Sequence, residues 1–373
     1  MEEPMSPIDF HSDANEVLLN PRMPTDLART LRARLAVVEH LRAHVFLLTS
    51  GSTAASSADY KWVALSKAAA LNAAQGSNEF LDSDRRDVWF HGLPGFHVGG
   101  IGIWARAELS GARVVRASFE RWDAVRYAEE VVGSTLSSLV PTQVHDLVAA
   151  GLRSPGSLRA ILVGGGAMSE GLREAARALG WPVLPTYGLS ETASQVATAS
   201  LDDPRLRLLP HLEASTTDDG RIRVRGGSLL TGYVLHGPRF VDPKDEEGWF
   251  TTEDLGIVEE RWLTPTGRTA ERIKIGGELS NLGLLRKAFE EEASRAGVRT
   301  GFALLALSDA RLENVVALAV EEDDPALTTA IAAFDVRVLP FERIRAVRRV
   351  DEIPRTELGK VRWSALSDLL STP

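Results

Sequence analysis

The chain has 373 residues and a mass of 40.5 kDa, long for one ordinary domain and short for three. Apolar residues make up 44% and charged residues 25%, near globular averages, which argues against disorder, collagen and coiled coil. A net charge of −9, from 42 basic and 51 acidic side chains, argues against a nucleic-acid or anionic-membrane surface. The absence of cysteine removes disulfides, thiolate nucleophiles, iron–sulfur clusters and Cys-ligated zinc.

The opening residues, MEEPMSPIDF, are acidic and carry Pro where a signal peptide needs a basic patch and an apolar run. No stretch approaches the roughly 20 apolar residues that span a bilayer, so a cytoplasmic protein is expected. Residues 1–30 are polar and irregular. LARTLRARLAVVEHLRAH (27–44) predicts a helix and VFLLTS (45–50) a strand. From 88 to 188 short apolar runs alternate with amphipathic ones: VWFHGLP, GIGIWARAEL, ARVVRAS, WDAVRYAEEVV, SSLVP, TQVHDLVAAG, LRAILVGG, EGLREAARALG and PVLPTYG. Strands separated by helical crossovers of this length imply a parallel sheet covered by helices.

After residue 200, RIRVRGG, LLTGYV and RWLTPTG are short and punctuated by Gly and Pro, as in an antiparallel β subdomain. Beyond TGRTAERIKIGGE (266–278) come a charged helix, two strands, a second helix and a last strand before DEIPRTELGK. The expectation is an α/β fold: a large N-terminal domain over 1–268 with a parallel sheet plus β subdomain, and a small mobile α+β domain over 269–373.

Five segments have the residue types for chemistry. LLTSGST (47–53) runs from a strand into a Thr/Ser/Gly turn, whose hydroxyls and backbone N–H groups can form an anion-binding concavity. It lacks G-x-x-x-x-G-K-[ST], so it is no Walker A loop, and such turns are often only turns. VGGGAMS (163–169) opens a helix after a strand; its glycines admit either a flat ligand or tight strand–helix packing. TYGLSET (186–192) offers an aromatic, hydroxyls and a carboxylate. GWFTTEDLG (248–256) places Asp254 after an aromatic strand, and PRTELGK (354–360) sets Lys360 on a Pro/Gly-flanked turn that could equally be a solvated loop. His40 and His44 lie four apart on the expected helix, but HLRAH lacks the Glu of H-E-x-x-H, and a solvated face is the simpler reading.

Taken in order, TSGST, FHVGG, GGGAMS, YGLSE, GWFTTEDLG, GRTAERIKIGGE and PRTELGK resemble the motif series of the adenylate-forming superfamily, which includes acyl-CoA synthetases, adenylation domains and luciferases. The resemblance spans about residues 45–365. The compact N-terminus and FHVGGIGIWARAELSGARVV look most like short-form o-succinylbenzoate–CoA ligases of menaquinone synthesis. Two departures stand out. TSGST continues as AASSADYKW, so Ala54 replaces a Gly and the usual loop lysine falls on Lys61. Ala270 sits at the usual hinge position, with Glu271 beside it.

The resemblance implies ATP, Mg²⁺ and coenzyme A, with a small carboxylic acid as substrate; charge and the lack of an apolar span had already argued against a nucleic-acid or membrane partner. Thr49, Ser50, Gly51, Ser52 and Thr53 would hold the β- and γ-phosphates. Gly165, Tyr187 and Gly188 would lie against the nucleotide, and Ser190 would reach the α-phosphate. Glu191 would hold Mg²⁺, Asp254 and Arg268 the ribose, and Lys360 the reacting carboxylate and phosphate. His97 and Gly164 would line the acyl pocket. Gly99, Ile103 and Arg106 share one helix face. If His97 lines the acyl pocket, that face looks into it and Arg106 would receive the second carboxylate of the diacid that the resemblance implies; the plainer reading is a surface arginine snorkelling off the helix. Two other readings stay open: a free-standing adenylation enzyme for another acid, and a non-catalytic nucleotide-binding relative.

Overall fold

A computed structural model describes residues 8–50, 60–119, 121–166, 168, 170–237, 239–268, 272–354, 361, 366–367 and 369–370. The chain divides into two compact units, Met1–Thr49 with Tyr60–Thr269, and Ala270–Pro373 with Ser50–Asp59.

The first unit is built on an eleven-stranded sheet. Arg113–Arg116, Val88–His91, Leu136–Leu139, Ala160–Val163 and Val183–Leu189 lie side by side in parallel. In chain order, the helices Val98–Ser110, Ala124–Glu130, Pro141–Ala149 and Glu170–Ala178 follow Val88–His91, Arg113–Arg116, Leu136–Leu139 and Ala160–Val163. All four residues of Leu136–Leu139 and of Ala160–Val163 are buried, as expected of strands covered on both faces. Trp89 and Phe90 are fully enclosed, and burying a Phe side chain contributes about 1.5–3 kcal/mol. At Val183–Leu189 the pattern reverses. Its other neighbour, Ser194–Thr198, is antiparallel, and the sheet continues antiparallel through Leu206–Leu208, Trp262–Arg268, Phe250–Glu259, Arg221–Gly226 and Leu212–Thr216.

A second, five-stranded sheet runs Glu16–Leu18, His44–Ser50, Tyr60–Ser66, Gly232–Leu235, Arg239–Val241. Ser66 ends one strand and caps the helix Lys67–Leu81, its hydroxyl accepting from the Ala69 N–H at 3.0 Å.

The helix expected over 27–44 is shorter. It covers Thr25–Ala33, tightens to a 3-10 turn over Arg34–Val38, and the next strand already starts at His44. Two tertiary features cut it. Arg34 turns inward and donates to the Tyr60 carbonyl at 3.0 Å, and Ala43 takes a left-handed φ of 55° that no helix continues through. His40 and His44 therefore share no helical face; His44 Nε2 lies 2.9 Å from Thr231 Oγ1 instead.

In the second unit, Phe302–Asp309 and Glu313–Val320 pair antiparallel, and Ile344–Arg349 joins in parallel. Phe289 on the helix Leu282–Ala296 meets Phe302 and Phe334 edge-on at centroid distances of 5.2 and 5.5 Å, a favoured aromatic geometry. Among the described residues, no helix is long and apolar enough to cross a membrane.

Candidate active site

Strand direction reverses at Val183–Leu189, and the turn that follows this strand gathers candidate residues from several elements. Gly188 is required there. A Cβ at this position would lie 1.8 Å from the Ser194 carbonyl oxygen, and the ladder slips between Tyr187 and Gly188. Ser190–Thr192 then forms a 3-10 turn. Thr192 Oγ1 accepts from the Leu189 N–H at 3.2 Å and lies 3.1 Å from the carbonyls of Leu189 and Ser194. Ala193 and Ser194 both hold positive φ, 53° and 112°. Such backbone persists only where its surroundings over-determine it.

The expected nucleotide residues fall around this turn. Asp254 sits inside the strand Phe250–Glu259 and not after it, as the sequence pattern had suggested. It is buried, and Tyr187 donates its phenolic proton to Asp254 Oδ2 at 2.9 Å. Arg268 is its cross-strand partner in backbone register. Thr49 is the penultimate residue of the strand His44–Ser50, its hydroxyl 3.4 Å from the Lys61 carbonyl. Gly164 and Gly165 follow the strand Ala160–Val163. A Cβ at Gly164 would meet Thr186 Oγ1 at 2.7 Å, and Gly165 has a φ of 80°. Gly51, Ser52, Thr53 and Lys360 lie outside the described residues.

Among the described residues Glu191 has two partners, both on Oε1. The Lys61 ammonium lies 3.3 Å away and the Tyr233 hydroxyl donates at 2.8 Å. Lys61 Nζ also stands 3.8 Å from the centroid of the Tyr233 ring, a cation–π contact. Among the described residues Oε2 takes no hydrogen bond, and a partly buried carboxylate oxygen suits a hard divalent cation. The strand Tyr60–Ser66 thus carries Lys61, the residue expected to stand in for the loop lysine, to the turn. Sequence reasoning passed over Tyr233. The segment LLTGYV announced a strand but gave no signal of its partner 42 residues away.

His97 and Arg106 stand at different depths. His97 precedes the helix Val98–Ser110, exposed at its N-cap position and 4.6 Å from the Phe96 ring, centroid to centroid. Arg106 is 2% exposed, so the surface-arginine reading is wrong. Its guanidinium folds back over Gly102, where a Cβ would lie 3.1 Å from both terminal nitrogens. It donates to Gln195 Oε1 at 2.8 Å and Ser194 Oγ at 3.3 Å, and stands 5.5 Å over the Trp89 ring. Among the described residues its buried Nε and Nη1 have no hydrogen-bond acceptor, and no carboxylate pairs with it. Burial pulls its pKa down to about 10, leaving it charged at neutral pH. His211, near this cation, is kept neutral by burial, its pKa pushed down to about 4.

The family profile described as AMP-binding enzyme matches residues 22–234. This chain belongs to that family. The AMP-binding enzyme is 30% identical over 355 residues to a probable 2-succinylbenzoate–CoA ligase of Mycobacterium tuberculosis, covering 90% of this chain and 88% of that one. It is 33% identical over 252 residues to the 2-succinylbenzoate–CoA ligase of Escherichia coli K12, covering 66% of this chain and about half, 52%, of that enzyme. Its fold matches an o-succinylbenzoate CoA synthetase of Bacillus subtilis bound to a product analogue, with TM-score 0.71 and 24% identity over 87% of this chain and 69% of that one. It also matches an amide bond synthetase of Marinactinospora thermotolerans, with TM-score 0.73 and 22% identity over 88% and 69%.

Proposed function

We propose that this enzyme is an AMP-forming acid–CoA ligase acting on o-succinylbenzoate in menaquinone synthesis, in the cytoplasm. The single observation that carries the acid's identity is Arg106, a buried cation with two unsatisfied nitrogens and no carboxylate partner among the described residues. o-Succinylbenzoate has two carboxylates. One is activated, and the other must be buried against a counter-charge, because an unpaired buried carboxylate is costly while an arginine can receive it bidentately. The relatives named for this acid support the same reading.

A carboxylate acylates poorly because oxide is a bad leaving group. In the first half-reaction its oxygen attacks the α-phosphorus of ATP and pyrophosphate leaves; in the second, the coenzyme A thiol attacks the acyl carbonyl and AMP leaves. The first step brings anions together, so positive charge and oriented donors do most of the work. Mg²⁺ held by Glu191 would supply charge to the phosphates. Thr49 to Thr53, with Lys61, would hold the β- and γ-phosphates, and Ser190 would reach the α-phosphate. Tyr187, with Gly165 and Gly188, would face adenine, while Asp254 and Arg268 would hold ribose. His97 and Gly164 would line the acyl path above Arg106. Residues 1–268 would form the adenylation domain, and 269–373 would present Lys360 to the reacting oxygens. A lysine 4 Å from a developing charge contributes about 4 kcal/mol at an effective dielectric near 20, roughly three decades of rate.

The fold does not choose the acceptor, since an amide bond synthetase shares it. Pyrophosphate release from ATP is therefore measured across a panel of acids, with and without coenzyme A. Release specific to o-succinylbenzoate, with thioester formed only when coenzyme A is present, is expected. Release with another acid would assign a different adenylation enzyme, and no release with any acid would leave a nucleotide-binding relative.

A further inference from the structure

Three side chains from three separate segments meet on one carboxylate oxygen. Lys61 comes from the strand Tyr60–Ser66, Tyr233 from Gly232–Leu235 and Glu191 from the turn Ser190–Thr192. The first two strands are hydrogen-bonded neighbours, with Tyr233 opposite Val63. Tyr233 and Lys61 are thus fixed by one ladder, and both reach the same turn. Glu191 is anchored in turn by its own backbone, its carbonyl accepting from the Leu230 N–H at 2.8 Å, three residues before Tyr233.

From this geometry we infer that Tyr233 is a positioning residue that sets the competition between Lys61 and a divalent cation for Glu191. The inference rests on the reading of Glu191 as the cation's ligand. The phenol donates to Oε1 and so restrains the carboxylate, while Oε2 takes no hydrogen bond among the described residues. The ring face gives the Lys61 ammonium a second resting contact at 3.8 Å. When a cation takes the carboxylate, like-charge repulsion weakens the Lys61–Glu191 pair, and Lys61 remains over the ring, free to donate to a polyphosphate. Without the cation, Lys61 neutralises Glu191 and keeps a partly buried carboxylate from standing unpaired.

The test is Mg²⁺-dependent ATP binding, followed by calorimetry on the 373-residue chain, with thermal midpoints recorded alongside. Tyr233→Phe keeps the ring and removes the donor. It should raise the Mg²⁺ concentration that half-saturates ATP binding by roughly tenfold, the worth of one hydrogen bond to a charged group. In a Glu191→Gln background the same change should add nothing. Lys61→Met should act in the opposite direction, lowering the Mg²⁺ half-saturation while weakening ATP binding at saturating Mg²⁺. A purely structural tyrosine would shift the thermal midpoint and leave the Mg²⁺ dependence in place. An unchanged Mg²⁺ dependence in Tyr233→Phe, or a raised half-saturation in Lys61→Met, overturns the inference while the ligase reading stands. If the wild-type protein shows no Mg²⁺-dependent ATP binding, both fall together.

Discussion

The phenol of Tyr187 donates a 2.9 Å hydrogen bond to Asp254 Oδ2 across 67 residues of sequence. The two residues proposed for adenine and ribose are therefore already linked, which sets their separation. Asp254→Ala should weaken ATP binding by about 1–3 kcal/mol, because the ribose hydroxyls lose their acceptor. Tyr187→Phe keeps the ring and should cost less. Isothermal titration with ATP measures both; an unchanged dissociation constant for Asp254→Ala would remove it from the site.

Arg106→Ala should lower kcat/KM for o-succinylbenzoate by about 1.5–3 kcal/mol, the worth of charged hydrogen bonds, or roughly ten- to a hundredfold. A 2-acylbenzoate lacking the second carboxylate should be turned over nearly as before. Gln195 Oε1 keeps its bond from Ser77, 2.8 Å long, so the variant strands no buried acceptor there. Equal losses on both acids would mean that Arg106 only supports the fold.

Gly188→Ala places a methyl 1.8 Å from the Ser194 carbonyl oxygen, a position backbone cannot vacate cheaply. Overpacking of this kind costs about 3 kcal/mol, visible as a lower unfolding midpoint in urea. Because Tyr187 precedes Gly188, ATP binding should fall in the same variant. A midpoint equal to wild type would show that the turn yields more easily than its close contact implies.

Stability of the second unit should depend on pH through Glu342. This carboxyl is buried and accepts from Ser280 Oγ at 2.9 Å and the Leu339 N–H at 3.1 Å. Burial is the main cause that lifts its pKa to about 7 from the usual 4.5, with repulsion from Glu278 adding to it. The folded state thus holds a proton that the unfolded state releases between those values. Stability should fall as pH rises from about 4.5 to 7, by up to about 3 kcal/mol. Glu342→Gln should flatten that slope and gain stability at pH 8, measured by chemical denaturation at pH 5 and pH 8. The same slope in both proteins would assign the pH dependence to other groups.

Much of the fold was legible because it is written in local periods. The strand–helix alternation from Val88 to Leu189 repeats buried four-residue runs and helical faces, each specified within about a dozen residues. Gly188 and Ser190–Glu191 could likewise be singled out from one segment, as could the common face of Gly99, Ile103 and Arg106. Local pattern could not tell where that face points. Arg106 is buried because the strand Ser194–Thr198 brings Gln195 against it from 89 residues away. Lys61 meets Glu191 across 130 residues, a pairing decided by how two sheets place their strand ends. The helix expected over 27–44 stops at Ala33 because Arg34 finds the Tyr60 carbonyl, 26 residues on. Sequence spacing determines which side chains share an element's face. Which charge is buried, and beside what, is decided only when distant elements close over it and remove the water that would otherwise have solvated it.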